Sequence, residues 1–255
     1  MATIRCGDVT FTDIAAVILD KDGTLADSQA YLRNLGLRRS RLLDAKIPGV
    51  QEPLLMAFGL DQQWLNPSGL LAVGTRRENE IAAAAYVAET GRDWPEALQI
   101  VQTTFVEADS YLHPKAPQTP LFPGSVALLQ ALKAANLKVG ILSADTTVNV
   151  QEFVQHYELG AYVDLAMGVD DGPGKPNPLL LQRAGAALGV APAQMLVVGD
   201  SQADVRLAQA AEAAGCIGVT WGWSAAQHLV AANAIVEQFE QIEVLATPNR
   251  GDRIS

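Results

Sequence analysis

The chain has 255 residues, 49% of them apolar and 18% charged, against about 25% charged in an average protein. That is enough apolar material for a sizeable core and excludes wholesale disorder. A net charge of −10 suits neither a nucleic-acid backbone nor an acidic membrane surface, and no apolar run approaches the ~18 residues of a membrane span. Asp8 and Asp13 precede the first long apolar stretch, against the pattern of a signal peptide. Cys6 and Cys216 are too few for a disulfide framework and lack metal-ligand spacing. A cytoplasmic protein without nucleic-acid or membrane partners is expected, its oligomeric state (monomer or dimer) left open.

In chain order, residues 4–6 and 9–11 flank Gly7-Asp8 and read as a small hairpin. The run 15–19 is the first core strand. Residues 25–120 then change character: 30–43, 80–89 and 96–111 carry apolar residues at mixed three- and four-residue spacing, as helices do. The stretches 66–69 and 114–120 are Pro-rich or Gly-rich loops. After them, short apolar runs at 139–142, 196–198 and 216–219 alternate with helical segments. Pro123-Gly124-Ser125 opens one helix, Asp145 or Thr146 a second, and Asn177-Pro178 a third that runs to Gly189. Strand–helix alternation predicts a parallel sheet with crossover helices. The expectation is an α/β protein with a Rossmann-like parallel-sheet core, 1–24 plus 121–255, and an inserted, mainly helical domain over 25–120. The insert holds nine basic and eleven acidic residues. Arg33, Arg38, Arg39, Arg41 and Lys46 crowd into one part of it, either as a solvated helix face or as a surface turned toward an anion.

The chemistry concentrates at strand ends. Asp20-Lys21-Asp22-Gly23-Thr24 follows the first core strand. Carboxylates two residues apart in extended chain point to one side, and open α/β sheets bind ligands at that edge. Paired carboxylates there call for a cation, and Mg2+ with its oxygen ligands fits; a simple surface turn is the alternative, since Asp and Gly favour turns. Ser143 ends the second strand ahead of a helix, a place for a phosphate as well as for an ordinary cap. Lys175 stands in a loop before the Asn177 helix, where an ammonium can neutralise an anion. The context is not a P-loop, because Pro176 follows the lysine. Gly199-Asp200-Ser201-Gln202-Ala203-Asp204 follows a further strand, with Asp200 and Asp204 four residues apart. His113, His156 and His228 each lack a partner at ligand spacing, and Trp221 and Trp223 read as core-packing residues near the sheet edge.

In this order the four motifs resemble the haloacid dehalogenase superfamily of aspartate-nucleophile phosphohydrolases, helical-cap subclass. The segments around Asp27-Ser28 and over 199–222 are similar to its phosphoglycolate phosphatase and β-phosphoglucomutase branch. Ser143-Ala144 departs from the Thr or Ser followed by Asn of many relatives, and the insert looks longer than usual. The resemblance implies a Mg2+-dependent (or Mn2+-dependent) phosphatase acting on a small phosphorylated metabolite. Asp20 would be its nucleophile and Asp22 its general acid and base. The metal would be held by Asp20, Asp200 and the Asp22 backbone carbonyl, with Thr24 and Asp204 behind them. Ser143 and Lys175 would hold the phosphoryl oxygens. Arg33, Arg38, Arg76 and Arg77 are the candidates in the cap for contact with the leaving group. A phosphomutase would share the first half of this chemistry. A dehalogenase would have no use for Asp22 and the Asp200/Asp204 pair, and a phospho-accepting signalling module would have no use for the cap.

Overall fold

The computed structural model describes residues 1–61, 64–170, 172–223 and 229–245; His228 lies outside them. The chain opens with an antiparallel hairpin, β1 (Ala2–Cys6) and β2 (Val9–Ile14), turning at Gly7, whose φ of 58° suits glycine. β3 (Ala16–Leu19) follows at once. Five helices come next: α1 (Gln29–Lys46), α2 (Gln51–Phe58), α3 (Leu70–Val73), α4 (Arg76–Glu89) and α5 (Trp94–Ser110). The remainder alternates: α6 (Ser125–Ala134), β4 (Lys138–Leu142), α7 (Thr147–His156), β5 (Leu165–Met167), α8 (Pro178–Leu188), β6 (Met195–Gly199), α9 (Gln202–Ala210), β7 (Gly215–Val219), β8 (Ala234–Val236) and β9 (Glu243–Leu245).

Six strands form one parallel sheet in the order β5-β4-β3-β6-β7-β8, and β9 joins the opening hairpin as β2-β1-β9. All four residues of β3 are buried. Side chains alternate across a strand. Thus Val17 and Leu19 pack with Leu128, Leu132, Val150 and Phe153 of α6 and α7 on one face. Ala16 and Ile18 pack with Leu180, Leu181, Val205 and Ala208 of α8 and α9 on the other. A strand covered on both faces reads as an unbroken apolar run, which is why this one stands out in the sequence. The helices between β3 and α6 enclose an apolar cluster of their own around Leu43, Leu54, Phe58, Val101 and Phe105.

Several helix starts fall where the sequence places them. Thr146 caps α7, and the Asn177 side chain accepts from the Leu179 amide 3.0 Å away to cap α8, which ends on the left-handed Gly189. α4 begins four residues before position 80, because Thr75 and Glu78 close a capping box there. No described helix is long and apolar enough to cross a membrane. Cys6 and Cys216 are buried free thiols.

Candidate active site

The strand order reverses at β3: the next strand of the sheet in sequence, β4, lies on one side, and β6 on the other. The crevice beyond the carboxyl ends of β3 and β6 is the ligand position of such sheets. Asp20 stands at its centre, its amide donating to the Val198 carbonyl of β6 at 2.9 Å. The turn after it is closed by the Lys21 carbonyl, which accepts from the Leu25 and Ala26 amides, and by Gly23 at φ 89°. A side chain at Gly23 would strike the Asp200 carboxylate. One small cavity is lined by Asp20, Asp22, Ser143, Lys175, Asp200 and Ser201. Ser143 Oγ accepts from the Asp145 amide at 3.2 Å.

Around Asp20 the carboxylates outnumber the cations. Lys175 Nζ lies 2.6 Å from both Asp20 Oδ1 and Asp204 Oδ1. The Asp204 carboxylate also caps α9, accepting from Ser201 Oγ at 2.5 Å and the Ser201 amide at 3.2 Å. Asp200 accepts from Thr24 Oγ1 at 2.7 Å and from the Trp223 indole N–H. Asp20, Asp200 and Asp204 each place an oxygen within 4.8 Å of the others. Burial pushes the Asp20 carboxyl up to about 6, with Lys175 opposing and Asp204 and Asp22 adding to the rise. Burial, then Asp20 and Asp204, raise Asp200 well above the carboxylate range. Lys175 is raised despite its burial, by the attraction of Asp20 and Asp204. Three carboxylates facing one ammonium are an all-oxygen donor set short of positive charge, which a hard divalent cation fits.

The Asp22 carboxylate turns the other way. It accepts from Lys21 Nζ at 2.6 Å and from Lys115 Nζ at 3.0 Å. Lys115 also donates to Asp145 Oδ2 at 2.7 Å, and Lys21 lies 3.2 Å from the same atom. Burial alone would raise Asp22, but Lys115 and Lys21 outweigh it and hold it below the usual carboxylate range; Asp145 is depressed in the same way by the same two lysines. Two aspartates two residues apart thus line one cavity while their carboxylates sit among different cations.

Beyond Asp22 a second cavity opens under α1, α3 and α4, lined by Asp22, Arg39, Arg76, Asn79, Lys115 and Asp145 among others. Arg39 is bidentate to Asp109, both bonds 2.9 Å, and Arg76 reaches the same carboxylate. Of the four arginines named as leaving-group contacts, Arg76 lines this cavity, and Arg39 of the basic stretch lines it as well. Arg77 is half-exposed beside Glu80, and Arg38 stacks over Tyr111 beside an outer groove. Asn79, Lys115 and Asp145 were not singled out for the site, and Arg39 entered only as one of a basic stretch that could face an anion. Arg39 was hidden inside a basic run, and Lys115 inside a loop-like Pro-rich stretch. The two tryptophans do more than pack: Trp221 Nε1 donates to the Thr24 carbonyl at 2.8 Å, and Trp223 reaches Asp200. His113 lies 3.7 Å from Glu152, and His156 packs edge-on against Tyr157; neither approaches the site.

The fold and these strand-end motifs define a class, and comparison with known proteins agrees. The haloacid dehalogenase-like hydrolase family matches residues 14–212, and the chain belongs to that family. Phosphoglycolate phosphatase of Escherichia coli K12 is 32% identical over 222 residues, 84% of each chain. Among solved structures, a predicted phosphoglycolate phosphatase from Haemophilus somnus 129Pt superposes with a TM-score of 0.67 at 22% identity, covering 89% of this chain and 96% of its own. A putative β-phosphoglucomutase from Thermotoga maritima gives 0.57 at 21%, covering 89% and 96%.

Proposed function

We propose that this hydrolase is a Mg2+-dependent phosphatase of a small phosphorylated acid, phosphoglycolate or an ester close to it, working through an aspartyl-phosphate on Asp20. The observation that carries the reading is the trio Asp20, Asp200 and Asp204, its oxygens within 4.8 Å of one another, with Lys175 2.6 Å from Asp20. Asp20 attacks phosphorus, the leaving alkoxide departs, and water then releases phosphate from the acyl phosphate. Lys175 and the Ser143 hydroxyl hold phosphoryl oxygens. Asp20, Asp200 and the Asp22 carbonyl would hold the divalent ion, which supplies the positive charge that two approaching anions need.

Asp22 protonates the leaving oxygen and then takes a proton from the attacking water. Lys21 and Lys115 keep it ionised in the free enzyme. The negative charge of an arriving phosphoryl group offsets those lysines and raises the proton affinity of Asp22. The leaving group would project into the cavity lined by Arg39, Arg76, Asn79 and Lys115, whose cations and amide suit a carboxylate. The name of the Escherichia coli relative supports the same substrate class.

The test is a phosphate-release screen over common phosphometabolites, with Mg2+ and with chelator. Small acid phosphates should lead, chelation should remove nearly all turnover, and added Mg2+ should restore it. Full turnover by protein shown metal-free by elemental analysis would overturn the metal assignment. Arg76→Ala should cost an acid phosphate far more than p-nitrophenyl phosphate, while Arg77→Ala, beside the cavity, should spare both. Equal losses on the two substrates for Arg76→Ala would remove the arginine from leaving-group recognition.

A further inference from the structure

The turn that follows β7 touches three parts of the site at once. Trp221 Nε1 donates to the Thr24 carbonyl at 2.8 Å. The Gly222 carbonyl accepts from the Gln29 side-chain amide at the start of α1. Gly222 also lies so close to the Gly23 carbonyl that a Cβ there would collide with it. Trp223 then places its N–H on Asp200 while its ring, 7% exposed, belongs to the apolar cluster of the helical insert rather than to that of the sheet. A Cβ on Gly23 would meet the Trp223 Nε1 at 2.8 Å and the Asp200 carboxylate closer still. One side chain therefore bridges a carboxylate of the sheet edge and the interior of the helical layer.

We infer that Trp223 is a positioning residue for Asp200, which sets the affinity of the carboxylate trio for a divalent cation and ties that affinity to the seating of the insert. The inference rests on the metal assignment proposed above. Asp200 faces two like-charged neighbours, Asp20 and Asp204, in a buried place. Left to itself, such a carboxylate turns away from its neighbours. Two donors aimed at its two oxygens, Thr24 and Trp223, hold the carboxylate in its orientation beside Asp20 and Asp204. Removing an outer partner of a ligating group commonly weakens metal binding by about 10- to 100-fold. The indole ring is wedged among insert side chains, so displacing the insert removes the packing that aims its N–H at Asp200. A cation that fixes Asp200 fixes the indole in turn.

Trp223→Phe keeps an aromatic ring in the apolar cluster and removes only the N–H. Trp221→Phe is its control: the same exchange in the same turn, but with a lost bond to backbone rather than to Asp200. Mg2+ binding to the purified full chain is measured by calorimetry, without substrate. Trp223→Phe should bind Mg2+ about tenfold more weakly, and Trp221→Phe within about twofold of the parent. Tryptophan emission should change on Mg2+ addition in the parent and in Trp221→Phe, and that change should be lost in Trp223→Phe. Hydrogen exchange at the start of α1 should slow with Mg2+ in the parent and not in Trp223→Phe. Equal Mg2+ affinity in folded Trp223→Phe and the parent would overturn the inference, as would an undiminished emission change. If the parent itself binds no Mg2+, the metal assignment fails instead, and the two failures are distinguishable.

Discussion

Two buried charge clusters lie on either side of the first motif, and their arithmetic differs. On one side Asp20, Asp200 and Asp204 face a single ammonium, Lys175. On the other, Asp22 and Asp145 face two, Lys21 and Lys115. The second cluster is neutral and its carboxyls are depressed; the first is short of positive charge, and burial lifts Asp20 to about 6. Adjacent aspartates therefore receive opposite environments from one loop. The balanced side contributes to the fold as it stands, whereas the unbalanced side would gain its missing charge from the cation proposed above.

The sharpest way to break this contrast is to change its two aspartates singly. Asp20→Asn removes the nucleophile, and turnover should fall by about 10^4-fold or more, with no phosphorylated protein in quenched samples by mass spectrometry. Asp22→Asn keeps the nucleophile and loses the proton relay, worth about 10^2- to 10^4-fold. An acid phosphate should then hardly react. Nitrophenolate leaves without a proton, so p-nitrophenyl phosphate should give a burst of about one equivalent per site and slow turnover after it. Wild-type rates on acid phosphates for Asp22→Asn would refute its part in the reaction.

The next test compares the lysines. Lys115→Met leaves a buried carboxylate uncompensated, a change that costs about 3–5 kcal/mol when one partner of a buried pair is removed. Chemical denaturation should show that loss with or without Mg2+. Adding Asp145→Asn restores neutrality and should recover part of it, a coupling that a double-mutant cycle reads. Lys175→Met should also destabilise the metal-free protein, but Mg2+ should recover much of the loss, because a cation can replace the missing charge on that side only. Equal rescue of both variants by Mg2+ would erase the distinction between the clusters.

Sequence reasoning reaches the two clusters unequally. Asp20, Lys175, Asp200 and Asp204 stand at strand or helix ends marked by apolar runs, Gly199 and the Asn177 cap, so position alone draws them together. Lys115 belongs to the balanced cluster and carries no such mark, and Asp145, though it stands ahead of a helix, reads there only as a cap. Their partnership depends on a chain that leaves the sheet at Thr24 and returns about ninety residues later, and no local pattern encodes that return. Spacing places Asp20 and Asp22 on one cavity but does not foretell that the turn closed on the Lys21 carbonyl sets their carboxylates beside different lysines. The strands β5, β8 and β9 have three residues each, too few for a period to show. Trp223 read as a core residue because its ring is one; only the N–H is tied to the site.

The smallest effect expected concerns stability alone. Asp20 binds its proton more tightly folded than unfolded, about 6 against an ordinary 3.8, and Asp200 shifts the same way. Between those limits the native state holds more protons than the unfolded one, so the slope of stability with pH is negative. The metal-free protein should thus lose stability from this cluster as pH rises from about 4 through about 6. Asp200→Asn removes one of the three ionisable groups and can keep the bonds to Trp223 and Thr24: the amide oxygen accepts from the Trp223 N–H, and the Thr24 hydroxyl rotates to accept from the amide nitrogen. At pH 7 without metal the variant should melt a few degrees higher, about 2–4 °C for each kcal/mol in a chain of this size. Its stability should also fall less steeply with pH. Saturating Mg2+ should invert the order, since only the parent gains much from a cation that binds the native state. A metal-free Asp200→Asn protein that melts below the parent would show that the carboxylate trio carries no uncompensated charge.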